Sequence, residues 1–274
     1  MAWLDRKDST RLRSAAAITF AVTLVVNAMA NILPLNGQTS GQVSDSYPNL
    51  FAPAGFTFSI WGVIYLLLAV YVIWQLRIAF HDRRSKLKAS TIDKITPYFI
   101  ISSVLNVLWI ITWHYNVIWL SVPLIVGMLY SLARINLELY DKHFSPKERI
   151  VVRAPFSVYF GWLTVATIAN IITWLVSEDW KALGQSGELW TVIILIFGAL
   201  VGILGMLRLR DVLYGMVFIW AYTGILVKHV SSTGWNAEHE VIIGALWALI
   251  AVLTLISAYV GLRIVRGRES WWRK

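Results

Sequence analysis

The sequence predicts an all-α polytopic transmembrane helix bundle, and three observations predict it. Hydrophobic residues make up 58% of the 274 residues and charged ones only 14%, where a soluble domain carries about a quarter charged residues. Eight separate apolar runs approach the roughly 20 residues that an α-helix needs to cross a bilayer. The basic residues gather in alternate connections between those runs, as the positive-inside rule demands.

The eight predicted spans are 14–34, 54–76, 97–114, 117–139, 154–176, 189–207, 212–228 and 241–262. The third and seventh are the shortest. With the amino terminus in the cytoplasm, Arg6, Lys7, Arg11 and Arg13 precede span one on the inner side, and the stretch from Arg77 to Lys94 adds six more Lys and Arg. Arg134 to Arg153, then Arg208 and Arg210, then Arg263 to Lys274 fall on the same side. In all, 22 of the 24 Lys and Arg residues lie inside, leaving Lys181 and Lys228 outside. A wrong span count would scramble this bias, so both termini are placed in the cytoplasm. Span one has a basic start and Ala28-Met29-Ala30, like a signal peptide. Its apolar run exceeds the 7–15 residues of a signal core, so it reads as a span.

The first outer connection, residues 34–52, is rich in Gly, Ser, Asn and Pro and contains no Lys or Arg. That composition predicts turns and irregular backbone. Tyr47, Leu50 and Phe51 predict that the loop packs at the membrane surface.

Net charge is +9 with a pI near 9.8, which membrane orientation accounts for without a nucleic-acid partner; the lipid bilayer is the partner expected. Cysteine is absent, which removes disulfides and thiolate chemistry. None of the spans carries an ionisable residue near its middle, which argues against an ion-coupled carrier. Arg134 and Glu138 stand one turn apart at the end of span four and are expected to pair as interfacial anchors. The five histidines, His81, His114, His143, His229 and His239, lie in connections or at span ends, with no pair at metal-ligand spacing on a helix. A weak metal site beside His229, His239, Glu238 and Glu240 is disfavoured against plain exposed loop residues. No metal site and no nucleophile–base pair is predicted, so an enzyme is not expected.

Three polar and aromatic clusters stand at helical spacing inside spans: Trp61 with Tyr65, Asn106 with Trp109 and Trp113, and Trp162 with Ala166 and Asn170. Members three or four residues apart share one face of a helix. An amide or indole in hydrocarbon needs a partner, so those faces are predicted to turn inward. Residue chemistry leaves two readings open, interhelical packing, in which Asn27 and Asn31 would also serve, and ligand binding. The remaining tryptophans, Trp3, Trp180, Trp190, Trp235, Trp271 and Trp272, read as an interfacial belt. Gly198 and Gly202 form a GxxxG pattern that permits close helix approach.

The clusters resemble the TspO/MBR family of translocator proteins, also called tryptophan-rich sensory proteins. The family's Pro, Trp and Tyr of span two are met by Pro53, Trp61 and Tyr65, its Leu-Asn-x-x-Trp by Leu105, Asn106 and Trp109, and its span-five pattern by Tyr159, Trp162, Ala166 and Asn170. Ala52 replaces one of two prolines, Thr57 replaces an aromatic residue, and Val158 replaces another proline. The resemblance covers about residues 14–177 and implies a five-helix TspO-like core at 1–177, with a three-helix membrane extension at 178–274 that compact members lack. It also implies an aromatic pocket under the first loop, between spans one, two, three and five. Its ligand would be a small, flat and hydrophobic molecule, a porphyrin, haem or related tetrapyrrole, with no cofactor required. The ligand-binding residues expected are Phe58, Trp61, Tyr65, Asn106, Trp109, Trp162 and Asn170. The function expected is a receptor or sensor in a bacterial cytoplasmic membrane; a carrier for tetrapyrroles or another hydrophobic solute is the alternative, and a homodimer is a candidate assembly. Some relatives promote porphyrin breakdown, which here would rest on the ligand's own photochemistry. The cholesterol motif at the end of span five in eukaryotic members is not met by Trp174 to Glu178; Val126, Tyr130 and Arg134 match it only formally.

Overall fold

A computed structural model describes residues 6–81, 86–142, 144–180, 184 and 186–266. Trp3, Trp271, Trp272, Arg83, Arg84, His143, Lys181, Arg268, Arg273 and Lys274 lie outside them, as do the side chains of Arg6, Asn31, His81, Lys86 and Lys88.

Eight long helices form the bundle: α1 (Arg6–Ile32), α3 (Ile60–His81), α4 (Lys86–His114), α5 (Ile118–Tyr140), α7 (Ala154–Ser177), α8 (Gly187–Leu209), α9 (Val212–Val230) and α10 (Glu240–Val265). Each is long and apolar enough to cross a membrane. Two short helices complete the order, α2 (Ser40–Asp45) in the first loop and α6 (Pro146–Glu148) before α7. No strand occurs among the described residues. Both α2 and α6 start on capping boxes, Thr39 with Gln42 and Ser145 with Glu148, each satisfying two otherwise orphaned amides.

α7 is the central element. It packs against α3, α5, α8 and α9, and 14 of its 24 residues are buried. α10 is peripheral, with five of 26 buried. α1 packs on α3 and α4, so it is an integral wall of the bundle.

The structure departs from the sequence reading in four places. α4 begins at Lys86, 11 residues before the predicted start, because Pro97 sits inside the helix. A proline removes one ladder bond and crowds the carbonyl four residues back, which packed membrane helices tolerate, and the polar turns before it continue the helix beyond the apolar region. Arg13, counted in the sequence only among the cytoplasmic charges, is 1% exposed and pairs with Asp93 at 2.9 Å, donating also to the Ala89 carbonyl. Arg134 lies over the Tyr98 ring and bonds the Tyr130 hydroxyl, while Glu138 pairs with Lys94 and Lys142. His229, read as an exposed loop residue, is fully buried at the end of α9.

The glycines of α8 are filled by α9. A Cβ on Gly198 would meet the Tyr222 hydroxyl at 2.8 Å, on Gly202 the Phe218 ring at 2.7 Å, and on Gly205 the Tyr214 ring at 2.6 Å. The small-residue stripe is therefore consumed inside the chain, and Tyr222 completes the contact by donating to the Leu195 carbonyl at 2.6 Å. At the opposite end of the α8–α9 hairpin, Asp211 caps α9 by accepting from the amides of Leu213 and Tyr214 and pairs with Arg153.

Candidate functional site

The loop end of the bundle holds the three clusters together. Trp61 is the hub: its ring stacks on Tyr65 at 5.5 Å and meets Trp109 at 5.8 Å, Tyr159 at 5.7 Å and Trp162 at 6.3 Å. Phe58 stands edge-on to Trp162 at 6.0 Å, and Trp113 stacks on Trp109 at 5.7 Å. Such ring pairs contribute about 0.5–1.5 kcal/mol each beyond their burial.

Two amide networks fix the cluster. Asn170 accepts from the Trp109 indole at 2.8 Å and donates to Ser121 at 2.8 Å, tying α4, α5 and α7. One turn deeper, the Asn106 oxygen accepts from Asn27 at 2.7 Å and from the Tyr65 hydroxyl at 3.5 Å, while its amide donates to Tyr159 at 3.2 Å. Asn106 and Tyr65 thus form the floor of the cluster. The Trp113 indole donates to the Ser40 carbonyl, which ties the cluster to the first loop.

Phe58, Trp61, Trp109, Trp162 and Asn170 surround one cavity of about 40 Å³, roofed by Ser44, Phe51 and Pro53. Tyr65 and Asn106 are not among its walls. No charged residue among those described borders it. The indole nitrogens of Trp61 and Trp162 are buried and have no hydrogen-bond partner among the described residues. The space holds a few waters and lies far below the 300–1,000 Å³ of a site filled by a sizeable ligand. The chamber is closed in this arrangement.

Its walls differ from those the resemblance implies. Among the described residues α1 lines none of the cavity, reaching the network below it through Asn27, and α9 takes its place with Ala221 and Ile225. Sequence reasoning missed both, and no chemical signal marks a small and an aliphatic residue as walls. α9 also holds the loop: the Ala54 amide donates to the Gly224 carbonyl, the Trp220 indole donates to the Thr57 carbonyl at 3.0 Å, and His229 Nε2 bonds the Leu50 carbonyl at 2.9 Å. A Cβ on Gly224 would lie within 2.1 Å of Thr57, so only glycine permits this seam. Trp235 packs beside His229 and His239, and Trp180 pairs with Trp190. His239 bonds Glu188 at 2.6 Å. Among the described residues no three His, Cys, Asp or Glu side chains come together as a metal site.

The fold and the chamber define a class: an eight-span membrane helix bundle with an uncharged aromatic pocket beneath its first loop. The sequence profile of the TSPO-like protein family matches residues 13–259, and the chain belongs to that family. The match runs on through α8, α9 and most of α10. Comparison with curated proteins and with solved structures returns no match.

Proposed function

We propose that this protein is a membrane receptor for a flat hydrophobic ligand, which the aromatic chamber takes up by stacking and shape. The observation that carries this reading is the pair of unpartnered indole donors, Trp61 and Trp162, on the rings around an uncharged cavity. Unpartnered polar groups occur elsewhere in the bundle, at Trp174 and Gln75 among others; what sets Trp61 and Trp162 apart is that both rings border the same uncharged cavity. A ligand with an acceptor on its edge would satisfy both while its faces stack on indole.

Tetrapyrroles are the ligand class that the family resemblance implies, and the lining fits them in part. Indole faces suit a flat macrocycle. No His, Cys, Met or Tyr among the wall residues would ligate a haem iron, so binding would rest on the ring alone. The 40 Å³ chamber must also widen, which requires the roofing loop to release some of its bonds to α4 and α9.

A receptor is favoured over a carrier by what lies beneath the chamber. The Asn27, Asn106 and Tyr159 network closes its floor. About 15 Å below Trp61, reckoned along α3, Tyr71, Phe99 and Phe156 meet edge to face at 4.7–5.7 Å. We place the end carrying the chamber outside the cytoplasm, because Arg and Lys concentrate at the other.

Protoporphyrin IX is expected to quench the intrinsic tryptophan fluorescence of the purified protein saturably, and Trp61→Ala or Trp162→Ala to abolish saturation. Unchanged saturable quenching in both variants would overturn the assignment. Uptake into proteoliposomes checks the carrier, for which binding without flux is the expected result.

A further inference from the structure

The chamber has a neighbour on its loop side. A second, open cavity of about 210 Å³ is bordered by Ser44, Asp45, Asn49, Lys228, Thr233 and Trp235. Ser44 lines both cavities. Along α9 the residues that wall them follow one stripe: Ala221 and Ile225 face the inner cavity and Lys228 the outer one. Spacings of four and three keep all three on one helix face, and Lys228 stands only about 4.5 Å along the axis above Ile225. The two cavities therefore lie one above the other along α9.

Their chemistries differ sharply. The inner walls are aromatic and uncharged, whereas the outer cavity carries one cation, Lys228, whose Nζ bonds Asp45 at 2.8 Å. Lys228 is the only Lys or Arg among the described residues that border either cavity. The side chain of Asp45 is 47% exposed and that of Lys228 is 22% exposed. A pair so open to solvent is held weakly, and one carboxylate can replace another on the ammonium at little cost. The Trp235 ring forms part of the outer cavity's wall.

We propose that the two cavities form a single site for a flat aromatic acid, with the apolar body in the aromatic chamber and its carboxylate on Lys228 in place of Asp45. This rests on the chamber being a ligand site, and adds to it the charge and polarity of the ligand. The ion pair then does two things: it fastens the loop to α9 when the site is empty, and it yields its lysine when an acid enters. Three of the residues involved, Ala221, Ile225 and Lys228, belong to the C-terminal three helices, so ligand selection is assigned to the extension.

A paired titration tests it. Protoporphyrin IX and its uncharged dimethyl ester are titrated into the purified protein, into Lys228→Gln, into Lys228→Arg and into Asp45→Asn. Lys228→Gln is expected to weaken binding of the acid by about tenfold, the loss of one charge-assisted contact, and to leave the ester unchanged. Lys228→Arg should retain the acid. Asp45→Asn, which removes the competing carboxylate, should bind the acid as well as the parent or better. Equal shifts of acid and ester in Lys228→Gln and Asp45→Asn would overturn the proposal, since the pair would then only fasten the loop. So would an acid affinity indifferent to Lys228. If the parent protein binds neither compound, the aromatic chamber falls as a ligand site and this proposal with it; binding of the ester alone overturns the acid assignment only.

Discussion

The two parts of the bundle are held by different means. Between α1 and α7 the helices are tied by polar side chains reaching across: Arg13 to Asp93, Thr23 to the Ser103 carbonyl, Asn27 to Asn106, Asn136 to the Phe156 carbonyl and Asn170 to both Trp109 and Ser121. Between α8 and α9 the contact is shape: Gly198, Gly202 and Gly205 receive Tyr222, Phe218 and Tyr214. In hydrocarbon neither means has a hydrophobic drive behind it, so helices associate through packing and hydrogen bonds. Polar ties fix the azimuth of individual side chains, which a binding chamber needs. Glycine grooves bring whole helices close, which suits the wall that α9 provides. The chamber lies where the two meet.

The largest effect is expected at the buried ion pair. Arg13→Leu leaves Asp93 without its guanidinium and should cost about 3–5 kcal/mol of stability, while Arg13→Leu with Asp93→Leu should recover most of it. Unfolding in a mixed detergent series, followed by circular dichroism, measures both. A double variant as damaged as the single one would show that the pair contributes more than the avoidance of an isolated charge.

Overpacking the glycine groove comes next. Gly202→Ala places a methyl group 2.7 Å from the Phe218 ring, and forced shifts of this kind cost about 1–3 kcal/mol. Phe218→Leu in the same background should return part of the loss. If Gly202→Ala is neutral under the same unfolding assay, α8 and α9 are not closely engaged, and the contrast between the two parts disappears.

Much of this organisation was legible in the sequence, because hydropathy and charge alternation are properties of single segments. Every predicted span corresponds to a long helix. The clusters on α3, α4 and α7 could be placed on inward faces because amides and indoles announce their need for partners. What could not be read depends on residues far apart in the chain. Arg13 looks like any flanking cation until Asp93, 80 positions away, is beside it. Ala221 and Ile225 become walls only because the glycines of α8 and the small Gly224 let α9 approach the loop. One local signal was readable and missed: Thr39 with Gln42 is a capping box pattern, and it starts α2 within a loop whose composition reads as irregular.

The smallest effect is expected at Asn170, and it separates fold from site. Asn170→Leu removes the partners of the Trp109 indole and of Ser121, yet interhelical hydrogen bonds in membranes contribute only about 0.6 kcal/mol on average and about 1.7 at most. Stability should therefore fall by less than in Gly202→Ala. The ring of Trp109 would lose its tether while still stacked on Trp113 and in contact with Trp61, so protoporphyrin quenching should persist with an affinity lowered severalfold. Trp61→Ala, by contrast, removes the ring that four others touch and should remove saturable quenching altogether. If Asn170→Leu destabilises as much as overpacking the glycine groove, the amides are the principal fastening of the bundle. Orientation of the chamber would then be a by-product of that fastening, not the reason for it.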